Sequence, residues 1–222
     1  MRRHDLATVR AGAPVRFLCG ALDDALSARV AAWIAAARPL VVARQLAGGS
    51  EALLGLTLPA AEGRRRVGCL VEQADLLQIR RPLSIAECLH RLADDVAAPL
   101  AALSERLAAA GVSVGVYGSL AWEALSGEGY RHSESDVDLI CDVASVTQAE
   151  ACLRLLADSA AALSCGLDGE IRFPDGCAVA WRELAAAWGK ADARVLVKGG
   201  VDVGLLPLSV VLEQFEEDAL HV

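Results

Sequence analysis

Three features of this 222-residue sequence predict an α+β fold, a small N-terminal unit followed by a larger mixed sheet with flanking helices. Hydrophobic residues make up 55% of the chain, ample for a core at this length. Apolar stripes at helical spacing alternate with short apolar runs bounded by Gly, Pro and Asp. After the first third, the order strand, helix, strand, helix and two hairpins gives a mixed sheet with helices packed on it.

In the first unit, Ala25, Leu26, Val30, Trp33, Ile34 and Ala37 recur at helical spacing over residues 23–37, and Pro39 stops the helix. Residues 40–46, 52–58 and 66–72 read as strands, separated by Gly48-Gly49-Ser50 and residues 59–63. Arg80-Arg81-Pro82 marks a linker or a basic contact, so the domains are read as 1–82 and 83–222.

Ser84-Ile85-Ala86-Glu87 matches a capping box opening a helix to Asp94. After Pro99, Leu100, Leu103 and Leu107 form a second stripe, ended by Gly111 and leading into a strand over residues 112–117. Thr147-Gln148-Ala149-Glu150 reads as another capping box, with Cys152, Leu155, Leu156, Ala160 and Leu163 as the apolar face of its helix. Residues 167–173 and 177–181 flank Pro174-Asp175-Gly176, and residues 194–198 and 201–206 flank Gly199-Gly200, as two hairpins. Pro207 fits the first turn of a closing helix.

The net charge of −8 argues against general nucleic-acid binding, which depends on neutralising phosphates with Lys and Arg. Seven scattered cysteines (Cys19, Cys69, Cys88, Cys141, Cys152, Cys165 and Cys177) contain no C-x-x-C. They read as small buried residues in a reducing compartment rather than a zinc site or disulfide framework. No signal core follows Met1-Arg2-Arg3-His4-Asp5, and no apolar stretch of about 18 to 20 residues appears. A soluble, cytoplasmic protein with no membrane partner is expected.

Residues 114–143 organise the chain. They join Gly118-Ser119, after one apolar run, to Asp136-Val137-Asp138-Leu139 in a second. A strand puts both aspartates on one face, roughly 6.8 Å apart. Magnesium commonly binds through one or two carboxylates plus substrate phosphates. A Gly-Ser step opening a helix complements this, because glycine permits close backbone approach and helix N–H groups favour anions. Separately, Gly-Ser is an ordinary helix cap and Asp-x-Asp an ordinary solvated strand face. Together they have the layout of a nucleotidyl transfer site.

Gly118-Ser119 with Asp136-Val137-Asp138-Leu139 resembles the signature of the DNA polymerase beta-type nucleotidyltransferase superfamily. The string Val116-Tyr117-Gly118-Ser119-Leu120-Ala121-Trp122, with Tyr130, His132 and Ser135, is similar to one branch: malonate decarboxylase holo-[acyl-carrier-protein] synthase, or phosphoribosyl-dephospho-CoA transferase. The resemblance extends to His4-Asp5-Leu6, Pro39-Leu40-Val41-Val42, Gly63-Arg64-Arg65-Arg66 and Ala180-Trp181-Arg182-Glu183-Leu184, nearly the whole chain. The gap from Ser119 to Asp136 is longer than in minimal superfamily members, so the loop between them is specialised.

The resemblance implies transfer of the phosphoribosyl-dephospho-CoA group from 2'-(5''-triphosphoribosyl)-3'-dephospho-CoA to a serine of the malonate decarboxylase acyl carrier protein, releasing pyrophosphate. It implies Mg2+, or Mn2+, held by Asp136 and Asp138, and a third carboxylate on a later strand. Glu170 and Asp202 both qualify. Glu170 is preferred, as metal ligand or general base, because one helix separates it from Asp138 and returns the next strand to the sheet. The rivals are another small nucleotidyltransferase and an inactive nucleotide-binding module.

Gly118 and Ser119 are candidate phosphate contacts. Arg131 and His132, in the loop before the aspartates, are candidate substrate ligands or plain solvated residues. Arg64 and Arg65, with Arg66, form a phosphate or carrier patch, or a charged turn that keeps a hairpin soluble. Lys198 is a candidate for phosphate neutralisation or a surface lysine. Trp122 reads as core, with the nucleotide pocket as the alternative, and Asp142 as a surface or strand-end residue.

Overall fold

The computed structural model describes residues 1–18 and 23–217, so Cys19 lies outside the described residues. The chain forms two compact units. One comprises Met1–Pro82 with Trp122–Arg131, the other Leu83–Ala121 with His132–Val222. Each has a six-stranded sheet, giving a mixed α+β protein.

In the first unit, β1 (Leu6–Val9), β2 (Arg16–Phe17), β3 (Leu40–Val42), β4 (Glu51–Thr57), β5 (Arg66–Glu72) and β6 (Leu76–Arg80) lie in the order β2-β5-β4-β3-β1-β6. Every pairing is antiparallel. Helix α1 (Asp24–Ala35) buries Leu26, Val30, Trp33 and Ile34, and Asp23 caps it by accepting from the Leu26 N–H at 2.7 Å. The strand expected over residues 40–46 stops at Val42. There the Gln45 amide substitutes for the ladder, donating to the Ala43 and Leu53 carbonyls and accepting from the Leu53 N–H. β6 was not expected, and it takes in Arg80, the first residue of the stretch read as a linker or basic contact. With only five residues, and Arg80-Arg81-Pro82 behind them, the polar ending masks the strand.

The first unit's core is completed from far along the chain. Trp122 and Tyr130 are buried in it, stacked with centroids 6.3 Å apart, and Trp33 meets Trp122 edge-on at 5.7 Å. Trp122 is therefore core. The Arg29 guanidinium binds both carboxylate oxygens of Glu128, at 2.7 and 2.6 Å, and the Ala60 N–H donates to the Gly129 carbonyl at 2.9 Å. Residues 122–131 are thus integral to this unit.

In the second unit, α2 (Ile85–Cys88) begins with the expected Ser84/Glu87 capping box. It is short, and α3 (Asp94–Ala109) starts before Pro99 rather than after it. Then come β7 (Ser113–Tyr117), α4 (Gly118–Ser126), β8 (Val137–Asp142), α5 (Val146–Ala162), β9 (Leu167–Arg172), β10 (Ala178–Ala180), α6 (Trp181–Ala187), β11 (Arg194–Lys198), β12 (Val203–Pro207) and α7 (Leu208–Glu217). The sheet order is β12-β11-β10-β9-β8-β7. β8 and β9 are parallel, joined by α5 as crossover, and the other neighbours are antiparallel.

Two local expectations are corrected here. Ser145, not Thr147, caps α5, its hydroxyl accepting from the Gln148 N–H at 3.1 Å, so Thr147 falls in the first turn. Trp181 opens α6 instead of ending a strand. Cys69, Cys88, Cys141 and Cys152 are buried thiols, whereas Cys165 and Cys177 are only half-buried. Among the described residues no helix is long and apolar enough to cross a membrane.

Candidate active site

The site grows from strand parity. Along β8, Val137, Leu139 and Cys141 are buried, and the Cys141 thiol is hydrogen-bonded to Cys152 of α5. That bond, with burial, holds the Cys141 thiol well above its ordinary pKa. Asp138 and Asp142 therefore face away from α5. Asp136 lies just before the strand and is exposed.

Glycine brings the two halves of the motif together. Tyr117, the last residue of β7, pairs with Asp138, and Gly118 follows at φ +70°. A Cβ on Gly118 would overlap the Asp138 carboxylate. The backbone that opens α4 is thus pressed against the second aspartate, and Ser119 sits one residue into the helix. Gly166 does the same for Asp136, whose carboxylate occupies the space a Cβ would need. The Val137 N–H donates to the Gly166 carbonyl at 2.8 Å, tying this contact to the start of β8.

The β8–β9 register selects the neighbouring acid. Asp138 pairs with Asp168, Ile140 with Glu170, and Asp142 with Arg172. Asp168, exposed and on the same face as Asp138, occupies the place for which Glu170 was expected. Glu170 lies two pairs further along, is buried, and accepts from Lys198 Nζ at 2.8 Å. Lys198 is therefore committed to a carboxylate, reaching it across β10, where Ala178 and Ala180 are the register partners. Asp202 lies in the turn before β12 and is exposed, its carbonyl accepting from the Gly199 N–H. Asp142, read as a surface or strand-end residue, is the last residue of β8 and holds the fully buried Arg172 guanidinium with bonds of 2.5 and 3.0 Å.

Chain-wide comparison adds what geometry alone does not. Residues 2–82 and 83–208 match the family profiles described as the phosphoribosyl-dephospho-CoA transferase MdcG N-terminal and C-terminal domains. The chain belongs to the phosphoribosyl-dephospho-CoA transferase MdcG family. It is similar to proteins named phosphoribosyl-dephospho-CoA transferase from Xanthomonas campestris pv. campestris (strain 8004), 36% identical over 96% of this chain and 97% of the relative, and Bradyrhizobium diazoefficiens, 34% identical over 82% and 81%. That of Pseudomonas putida (strain W619) is 30% identical over 87% and 92%. No solved structure matches.

For this member of the MdcG family, the remaining sequence candidates lie as follows. The His132 ring accepts from the Glu134 N–H at Nδ1, at 3.2 Å, which puts the proton of a neutral ring on Nε2, while the His132 N–H donates to the Ser135 hydroxyl. Arg131 belongs to the first unit, where its guanidinium donates to Glu123 at 2.8 Å; it is not an uncommitted phosphate ligand. Glu123 also accepts from the Tyr130 and Arg131 N–H groups, at 2.9 and 2.8 Å. Burial would raise the Glu123 carboxyl pKa, but these bonds and the Arg131 charge bring it below the ordinary value. Arg64 takes a left-handed φ of +53° in the turn before β5, and Arg65 is exposed, 3.7 Å from Asp23. Both are turn residues of the first unit.

Asp168 lies in the strand read over residues 167–173, but the acid chosen on that strand was Glu170, two residues later. Gly169, inside that strand as expected, has no Cβ and so lets β9 lie against the Leu139 backbone.

Proposed function

We propose that this chain transfers the phosphoribosyl-dephospho-CoA group from 2'-(5''-triphosphoribosyl)-3'-dephospho-CoA to a serine hydroxyl of the malonate decarboxylase acyl carrier protein, releasing diphosphate. The observation that carries the reading is the packing of the Gly118 backbone against Asp138 in a chain whose family match covers residues 2–208. Such packing sets helix N–H groups, which favour phosphate, beside carboxylates that favour a hard cation.

The donors suit magnesium. Asp136, Asp138 and Asp168 offer only oxygen, the ligand type that magnesium takes. Among the described residues no three His, Cys, Asp or Glu side chains are gathered closely enough to hold a metal unaided. Magnesium is usually bound by one or two carboxylates plus substrate phosphates, so this donor set fits an ion that arrives with a triphosphate. When bound, the ion would polarise the attacked phosphoryl group and neutralise charge on the departing diphosphate.

The chain's own residues do the rest. The Gly118-Ser119 N–H groups orient the phosphates, with no side chain at Gly118 to hold them off. The carrier serine oxygen bonds to the ribose-linked phosphorus as the bond to the diphosphate oxygen breaks. Asp168, exposed next to Asp138, takes the hydroxyl proton or completes the oxygen donor set. Glu170 and Lys198 pair with each other, so the buried carboxylate has its own cation and is not turned to the substrate.

Incubating the protein with apo carrier, the triphosphoribosyl precursor and magnesium, then weighing the carrier by mass spectrometry, tests the reading. A mass gain equal to the prosthetic group supports it. Diphosphate release without carrier points to a different nucleotidyltransferase, and no reaction points to a binding module.

A further inference from the structure

Tyr117 closes the row of side chains that carries the aspartates. It is the last residue of β7 and pairs with Asp138, which pairs on its other side with Asp168. Val114 and Val116 pair with Cys141 and Leu139, whose side chains face α5, so by strand alternation Tyr117 stands on the opposite face with both acids. Directly opposed side chains of an antiparallel pair have Cβ atoms about 4.5–5.5 Å apart. The Asp138 carboxylate also leans toward this strand end, since it occupies the space that a Cβ on Gly118, the next residue, would need. Tyr117 is half-buried, and its side chain is much longer than that of aspartate. A ring standing beside Asp138 therefore reaches past the carboxylate, to the level at which a substrate held there lies.

The chemistry of the row favours a neutral donor. Three cations that share this face by register are committed elsewhere: Arg172 to Asp142, Lys198 to Glu170, and Arg194 to the Leu205 carbonyl of the edge strand. A lysine or arginine at 117 would pair with Asp138 in the same way and cancel the charge that favours a hard cation. A phenol hydroxyl donates a hydrogen bond without carrying charge, so it holds a phosphate oxygen and leaves the carboxylate negative.

We propose that the Tyr117 hydroxyl donates to an oxygen of the substrate's triphosphate, alongside the Gly118-Ser119 N–H groups. The inference rests on the transfer reading for its substrate, but its test does not need the carrier. Titrating inorganic triphosphate with magnesium into the full chain by calorimetry reads the contact. Y117F keeps the ring and removes the hydroxyl, and should weaken triphosphate binding about tenfold or more, the loss expected of one hydrogen bond to a charged group. Y117L, which also removes the ring, should weaken it to a similar degree. Y117F should melt within a few degrees of the wild type. In steady state it should raise the KM for the precursor and leave the KM for carrier unchanged, a split that a general loosening of the fold would not produce.

Triphosphate that fails to bind the wild type, or wild-type affinity in a folded Y117F, would overturn the proposal. So would a loss seen in Y117L alone, which assigns the contact to the ring, or a KM change confined to the carrier. Hydroxyl-dependent triphosphate binding without carrier modification supports Tyr117 and rejects the transfer, whereas carrier modification with equal triphosphate affinity in wild type and Y117F does the reverse.

Discussion

Asp168 stands opposite Asp138, one strand over, because β8 and β9 run parallel and in a register that pairs them directly. A shift of two residues would have put Glu170 there, and the buried Glu170 is already paired with Lys198. D168N should therefore cut transfer by about two orders of magnitude or more, since removing a charge that steadies the transition state costs several kcal/mol. It should cost little stability, the side chain being exposed. E170Q should instead lower the melting temperature, having broken a buried pair. Equal transfer rates for D168N and wild type at saturating magnesium would return the role to Glu170.

Gly118 makes a sharper case, because two separate constraints meet there. Its φ of +70° penalises any side chain by roughly 1–2 kcal/mol, and a Cβ would overlap the Asp138 carboxylate. G118A should fold with a lowered melting temperature and lose most of its turnover, while its affinity for carrier stays intact. Full turnover in G118A would show that Asp138 can move without consequence.

These two positions mark how far the sequence was legible. The Gly-Ser and Asp-x-Asp elements, the crossover helix and both C-terminal hairpins carry local signals, in periodicity and turn residues, and were readable. The register of β8 against β9 is a long-range property that no local pattern encodes, so Glu170 was chosen over an acid two residues earlier. The charge pairings were equally hidden. Arg131, Lys198 and Asp142 each found a partner 8 to 30 residues away. An unpaired candidate in sequence became a paired one in the fold.

Glu123 provides a pH signature. Its carboxyl pKa is depressed in the folded chain, so the stability it contributes is fully present above the ordinary glutamate pKa and is lost as pH falls through the lower folded value. E123Q keeps an acceptor for the Tyr130 and Arg131 N–H groups but loses the charge. It should lose about 1–2 kcal/mol near pH 7, in line with charge-assisted hydrogen bonds, and its melting temperature should fall less steeply than that of the wild type below pH 5. Parallel melting curves for the two proteins across the acid range would remove Glu123 as the source.

The last prediction concerns the excursion from Trp122 to Arg131. Although the sequence suggests a catalytic domain beginning at residue 83, a fragment of residues 83–222 carries Trp122 and Tyr130 without the core that buries them. Each aromatic ring represents about 150–250 Å² of surface, and at about 25 cal/mol/Å² two exposed rings forfeit several kcal/mol, a large share of the stability of a small domain. Glu128 would also lose Arg29, and Gly129 its bond from Ala60. The fragment should therefore be aggregation-prone when produced alone, and co-expression with residues 1–82 should recover soluble protein. A soluble, monomeric fragment 83–222 with a cooperative melt would show that the first unit is dispensable for folding the loop between the glycine-serine step and the aspartates.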